Sequence, residues 1–243
     1  SIVGGTLRSD NLVLIAFEVI VITCATWIAR RFFDRRSFRG LGLNLNQSTW
    51  LDFIVGFLLS AFLFSLIYIT TSIMGWTQFQ SWAWESDNFV HVISKTAVMF
   101  LVFLGVAYRE ELISRGYHLQ NLEQGSNLPL AVIISSLIFS TLHLSNPNFN
   151  WMAVIGLLAA GLFLAYAYIR TKSLWLPIGL HLGWNFFEGT IFGFPVSGMN
   201  NFSLIQQQIH GPVLITGGEF GPEAGLLIFP TLLLGAYLIR FYT

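Results

Sequence analysis

Three short patterns in this chain combine side chains that can activate water with side chains that can stabilise the charge that follows. They are Glu110-Glu111-x-x-x-Arg115, Phe139-x-x-x-His143 and His181-x-x-x-Asn185. On a helix Glu111 and Arg115 are four residues apart with the acid N-terminal, the favourable order for an ion pair. Glu110 points about 100° away from Glu111. The spacing thus assigns Glu111–Arg115 to structure and leaves Glu110 as the free carboxylate. Phe139 and His143 share a helical face, so the ring can pack under the imidazole, and His181 shares a face with Asn185 in the same way.

A carboxylate and an imidazole around one water make it a nucleophile when burial raises the carboxylate's basicity. A second imidazole and a carboxamide can donate to the oxyanion formed when that water attacks a peptide carbonyl. On this reading Glu110 is the general base, His143 helps to hold and activate the water, and His181 and Asn185 are oxyanion donors. Glu111, Arg115 and Phe139 support them. The same atoms allow a second mechanism, in which Glu110, His143 and His181 are zinc ligands and water takes the open position. Asn185 favours the metal-free version, because a neutral carboxamide is a poor zinc ligand and a good oxyanion donor. No cofactor is therefore favoured, and zinc is the alternative. Neither the His-Glu-x-x-His signature of zinc proteases nor the Gly-x-Ser-x-Gly elbow of serine hydrolases occurs.

The elements that must position these groups are apolar. Of the 243 residues 54% are hydrophobic and 10% charged, against roughly 25% charged in a soluble domain, so lipid must cover much of the surface. A net charge of +0 lacks the basic footprint that a nucleic acid needs. The lone Cys24 excludes an intrachain disulfide and a thiolate cluster. A charge inside a span costs roughly 2.5–3.5 kcal/mol and marks function by default, yet the first motif lies between apolar flanks.

A spanning helix needs about 20 mainly apolar residues. Seven segments approach this: Asn11 to Ile28 with only Glu18 ionisable inside, Leu51 to Met74, Phe89 onward to about Leu122, Leu128 to Leu144, Trp151 to Ile169, a short Leu174 to Phe187 interrupted by Pro177, and Ala224 to Phe241. The expected fold is therefore an all-α polytopic membrane protein of about seven spans, one integral membrane domain over residues 1–243, with the site inside the bundle and a motif-bearing core at about 90–189. Arg30, Arg31, Arg35, Arg36 and Arg39 put the first loop in the cytoplasm. Counting forward sets Arg170, Lys172, Arg240 and the C-terminus on the same side. The opposite loops, 75–88 and 193–222, hold no Lys or Arg, and only Arg8 and Lys95 dissent. The expected location is the cell membrane. The sequence has no initiator Met, and a further span upstream would alter the count while leaving the orientation unchanged. Trp76, Trp82 and Trp84 read as an interfacial belt. The Gly-rich stretch from Gly193 to Gly225 reads as either a cap over the outer face or a linker.

Depth offers a check. Glu110 lies about 15 residues before a turn near Gly125 and His143 about 18 after it, which brings the two within roughly 5 Å of one level at 1.5 Å per residue. The same ruler, started from Lys172, leaves His181 well short of that level, so tilt or a break at Pro177 is needed.

In order, spacing and helical setting the three motifs resemble those of the CPBP family, also called the Abi or type II CAAX-protease-like family. Arg170-Thr171-Lys172-Ser173-Leu174-Trp175-Leu176-Pro177-Ile178-Gly179-Leu180-His181 resembles it too. The resemblance implies an all-helical intramembrane fold and endopeptidase activity, with Glu110, His143, His181 and Asn185 at the active site. Eukaryotic members trim prenylated CAAX proteins, and many bacterial ones are tied to bacteriocin immunity or peptide maturation. The expected partners are a peptide or protein substrate, membrane-anchored or lipidated, and the lipid bilayer. Two other classes compete: a non-catalytic scaffold or bacteriocin-immunity factor of the same fold, and a proton- or ion-coupled transporter. The first has no need of costly intramembrane Glu, His and Asn. The second is disfavoured by the absence of an internal repeat.

Overall fold

Asparagines open four of the helices. After α1 (Asn11–Ile28), Asn46 Oδ1 accepts from the Thr49 N–H and Thr49 Oγ1 accepts from the Asn46 N–H, both at 3.0 Å. This reciprocal cap starts α2 (Gln47–Ile73). Asn88, Asn127 and Asn150 cap α3 (Phe89–Glu111), α4 (Leu128–Thr141) and α5 (Trp151–Thr171) by accepting from Val90, Leu130 and Ala153. Each satisfies N–H groups that the first helical turn leaves without partners. Then come α6 (Trp175–Asn185) and α7 (Ile228–Tyr242). The computed structural model describes residues 11–243, so the dissenting Arg8 lies outside the described residues.

Helices dominate, in keeping with an all-α membrane protein, and the loops add one small two-stranded sheet. Thr77–Trp82 (β1) pairs antiparallel with Ile205–Ile209 (β2), Thr77 opposite Ile209 and Trp82 opposite Ile205, with an irregularity between Phe79 and Ser81. Both strands lie in the two loops that lack basic residues, where short polar–apolar stretches pair across more than a hundred residues. The 193–222 region is an ordered cover rather than a linker: Phe194, Val196 and Phe220 are buried, and the Gly198 and Leu204 N–H groups donate to Phe220 O and Thr190 O, both at 2.7 Å.

Two close helix contacts fix the centre. A Cβ on Gly56 of α2 would stand 2.5 Å from Leu176 O of α6, and one on Gly183 of α6 would stand 2.7 Å from Phe57 O of α2. Only glycine lets these two backbones approach so closely, the small-residue packing that holds helices together in lipid. Ser60 Oγ adds a bond to Leu180 O at 2.7 Å. In α5, a Cβ on Gly161 would be 2.9 Å from Ser136 Cβ of α4.

Four helical runs are long and apolar enough to cross a membrane: Leu12–Phe33, Gln47–Ile73, Phe89–Gly125 and Trp151–Thr171. α4 and α7 are apolar but shorter, and α6 has 11 residues, so these three do not by themselves carry the expectation of seven spans. α6 is short because protein surrounds it. Leu176 to Asn185 are all buried, and its N-terminus lies beneath the loop before α2, where Gly42 O accepts from Leu174 N–H and Asn44 O from Trp175 Nε1–H, each at 2.9 Å. Outward-facing side chains such as Val13, Phe17, Leu58, Ile73 and Leu233 are apolar and exposed, as a lipid-covered surface requires.

Candidate active site

The long helix that carries the first motif changes pitch at its acidic pair. α3 ends at Glu111, and Leu112–Leu119 continues it with π-type bonding before Gln120–Gly125 resumes the α-helix, a device that often marks functional positions. Glu111 and Arg115 face inward at 0% and 1% exposure, so water satisfies neither. Arg115 Nη1 donates to Glu111 Oε1 at 2.7 Å and Nη2 to Gly161 O at 2.9 Å. The guanidinium lies 4.5 Å from the Phe139 ring centroid. That carbonyl belongs to the glycine that packs against Ser136 of α4.

Phe139, buried on α4, packs against both imidazoles: its ring is 5.1 Å from that of His143, tilted, and 5.9 Å, edge-on, from that of His181. His143 sits just past the end of α4. A carbonyl oxygen can only accept, so the 2.9 Å contact to Phe139 O puts the proton on His143 Nδ1. His181 Nδ1 likewise meets Glu111 Oε1 at 2.9 Å. Both rings therefore turn Nε2 towards the remaining carboxylate. His143 Nε2 and His181 Nε2 each lie 3.9 Å from Glu110 Oε2, a buried oxygen with no hydrogen-bond partner among the described residues. Asn185, one turn beyond His181, is buried and lines the same cavity.

His181 thus reaches the same carboxylate oxygen as His143, which overturns the depth ruler. That ruler took Lys172 to mark the membrane surface. The loop over the start of α6 recesses the helix, so its residues begin deeper than the count from Lys172 allows. Glu110 also differs from expectation, because it has a cation beside it: Arg109 Nη2 donates to Glu110 Oε1 at 3.3 Å, while Arg109 Nη1 pairs with Glu18 of α1. Glu18 and Arg109 could have been suspected as ionisable residues in apolar runs, but their pairing is tertiary. Ser197 and Glu223 had no signal in the spacing at all. Ser197 Oγ donates to Glu223 Oε2 at 2.5 Å, and both residues line the cavity from the outer cover.

The cavity holds about 340 Å³. Phe103, Val106, Leu157, Phe163, Trp184 and Met199 make most of its wall apolar, and Glu110, His143, His181, Asn185, Ser197 and Glu223 are among the polar exceptions. Residues 92–187 match the model of the family described as Type II CAAX prenyl endopeptidase Rce1-like.

Residues 92–187 are similar to an Rce1-like domain.

This domain contains all three motifs, which bears out the resemblance read from them, and it spans α3 to α6 and so includes every element that converges on Glu110. No curated protein and no solved structure matches the chain. Zinc can be tested against the donors of the Rce1-like site. Their chemistry suits it: each imidazole offers Nε2 while Nδ1–H is held by a carboxylate or a carbonyl, the usual arrangement behind a metal. Their separations of 3.9 Å are wider than the roughly 3.3 Å between tetrahedral zinc ligands, so the three side chains would have to draw together around an ion.

Proposed function

We propose that the Rce1-like site is that of an intramembrane endopeptidase that hydrolyses peptide bonds with a water activated by Glu110 and His143. The observation that carries this reading is the shared approach of both Nε2 atoms to one unpartnered carboxylate oxygen at 3.9 Å. Such a gap is too long for a direct hydrogen bond, and it admits a water oxygen about 2.8 Å from each group. Glu110 Oε2 takes the proton as the water attacks the carbonyl carbon, and His143 Nε2 accepts the water's other hydrogen bond. Glu110 then passes its proton to the leaving amine.

The oxyanion is held by His181 and Asn185. His181 is anchored through Nδ1 to Glu111, so its donor to the oxyanion is the N–H at Nε2. Arg115 holds Glu111 in place, and Arg109 steers Glu110 through its other oxygen. Were zinc held here, Glu110, His143 and His181 would bind it and it would acidify a bound water. Glu111 is committed to Arg115 and His181, and Asn185 suits an oxyanion better than a metal, so the metal-free route is the one we adopt.

The substrate is a membrane-anchored or lipidated peptide or protein whose apolar part occupies the cavity wall. The chain is placed in the cell membrane with seven helices within the bilayer, α6 as a half-helix enclosed by the others, and the 30–39 loop and C-terminus in the cytoplasm. Digestion of a prenylated CAAX-type peptide in H₂¹⁸O tests the reaction class. One ¹⁸O in the new carboxylate and a cut at an internal bond are expected. No cleavage of any membrane-anchored peptide, with the fold intact, would favour a non-catalytic scaffold.

A further inference from the structure

Residues 30–39, between α1 and α2, contain five arginines and no lysine. Arg30 is committed inward. Buried, it donates from Nη1 to Asp34 at 3.4 Å and Asn121 at 3.3 Å, and from Nη2 to Gln120 at 3.2 Å. Asn121 Nδ2 returns to Asp34 at 3.2 Å and Gln120 Nε2 reaches Leu41 O at 3.0 Å. These bonds rivet the turn to the far end of the α3 extension.

Arg31, Arg35, Arg36 and Arg39 are different. All four are exposed, and no carboxylate pairs with any of them among the described residues. Together with Trp27, Ser37 and Phe38 they line a cleft of about 560 Å³. The backbone holds them there: Arg35 is left-handed at φ 56, a costly conformation for a residue with a side chain, and Arg36 N–H donates to Arg30 O at 2.9 Å. Phe32 and Phe33, at 64% and 81% exposure, continue the apolar surface of α1 up to the cleft.

Four unpaired guanidinium groups within nine residues repel one another unless an anion joins them. Orientation alone does not account for the choice of residue, because Lys and Arg count equally in the charge bias of membrane loops. What arginine adds is a planar fork that grips phosphate oxygens two at a time. We propose that this cleft binds the phosphate of an anionic lipid headgroup, with the arginines on its oxygens and Trp27, Phe32 and Phe33 against the glycerol and acyl region. The position at the end of an apolar helix, with exposed aromatic side chains alongside, fits a lipid rather than a soluble phosphate.

The test uses the full chain in a neutral detergent, with thermal unfolding followed as phosphatidylglycerol, phosphatidylcholine or inorganic phosphate is added. Phosphatidylglycerol should raise the melting temperature saturably, and the other two should not. Replacing Arg31, Arg35, Arg36 and Arg39 by Gln should not lower the lipid-free melting temperature, because it relieves their mutual repulsion, and should abolish the rise. Arg31→Gln with Arg39→Gln serves if the fourfold variant does not fold, each lost arginine weakening the apparent affinity about fivefold. Lysine at all four positions should bind more weakly than arginine. An equal rise with phosphatidylcholine, or a rise that survives the Gln variants, overturns the proposal. An equal rise with inorganic phosphate at the same concentration overturns the lipid assignment, and equal binding by the lysine variant overturns the bidentate one. None of these readouts depends on peptidase activity.

Discussion

His181 donates from Nδ1 to Glu111 Oε1 at 2.9 Å, across 70 residues of chain. The same oxygen receives Arg115 at 2.7 Å. Glu111 is therefore more than the partner of a stabilising pair, because it also aims the imidazole and fixes its tautomer. Glu111→Gln should lower stability by about 3 kcal/mol, the order found when one member of a buried ion pair is removed. It should also cut turnover at temperatures where the variant is still folded. Thermal unfolding and kcat measured on one preparation separate the two effects. A variant that melts early but turns over at the parental rate would confine Glu111 to structure.

Asn185 is one turn from His181 and open to the cavity. Asn185→Ala should reduce kcat by about 10²–10³, the usual loss for one oxyanion donor, while KM for a membrane-anchored peptide stays nearly constant. A rise in KM with kcat preserved would make Asn185 a substrate-binding group.

Much of this arrangement was legible in the chain itself, and what was not has a common cause. The helices follow from apolar runs that start after Asn46, Asn88, Asn127 and Asn150, and the Glu111–Arg115 pair follows from helical spacing, so local sequence suffices for both. The Glu111–His181, Arg109–Glu18 and Ser197–Glu223 contacts join distant elements, and no periodicity encodes them. The depth of His181 failed for the same reason: the loop that recesses α6 belongs to another part of the chain. The β1–β2 pair escaped because strands of six and five residues in polar loops show no apolar run.

Orientation can be read by thiol labelling in intact cells. With Cys24 replaced by Ser, a cysteine at Ser37 should be shielded from an impermeant reagent and one at Asn200 should react, both side chains being exposed. Gly198 is unsuited to a reporter, since it is left-handed and its Cβ would collide with Pro147 O. The reverse labelling pattern would invert the topology.

Metal dependence is separable from the rest. Prolonged incubation with a strong chelator should leave the enzyme active, because the proposed water is held by Glu110 and His143 alone. Loss of activity that zinc restores would convert Glu110, His143 and His181 into ligands.

The central claim is that the free oxygen of Glu110 is the base. Glu110→Gln keeps the shape and the Arg109 contact through its carbonyl oxygen but cannot take a proton. Turnover of a prenylated peptide by this variant in proteoliposomes, with folding verified by an unchanged melting profile, should fall by about 10² or more, at least the contribution of a general base. Activity close to that of the parent protein would contradict the account.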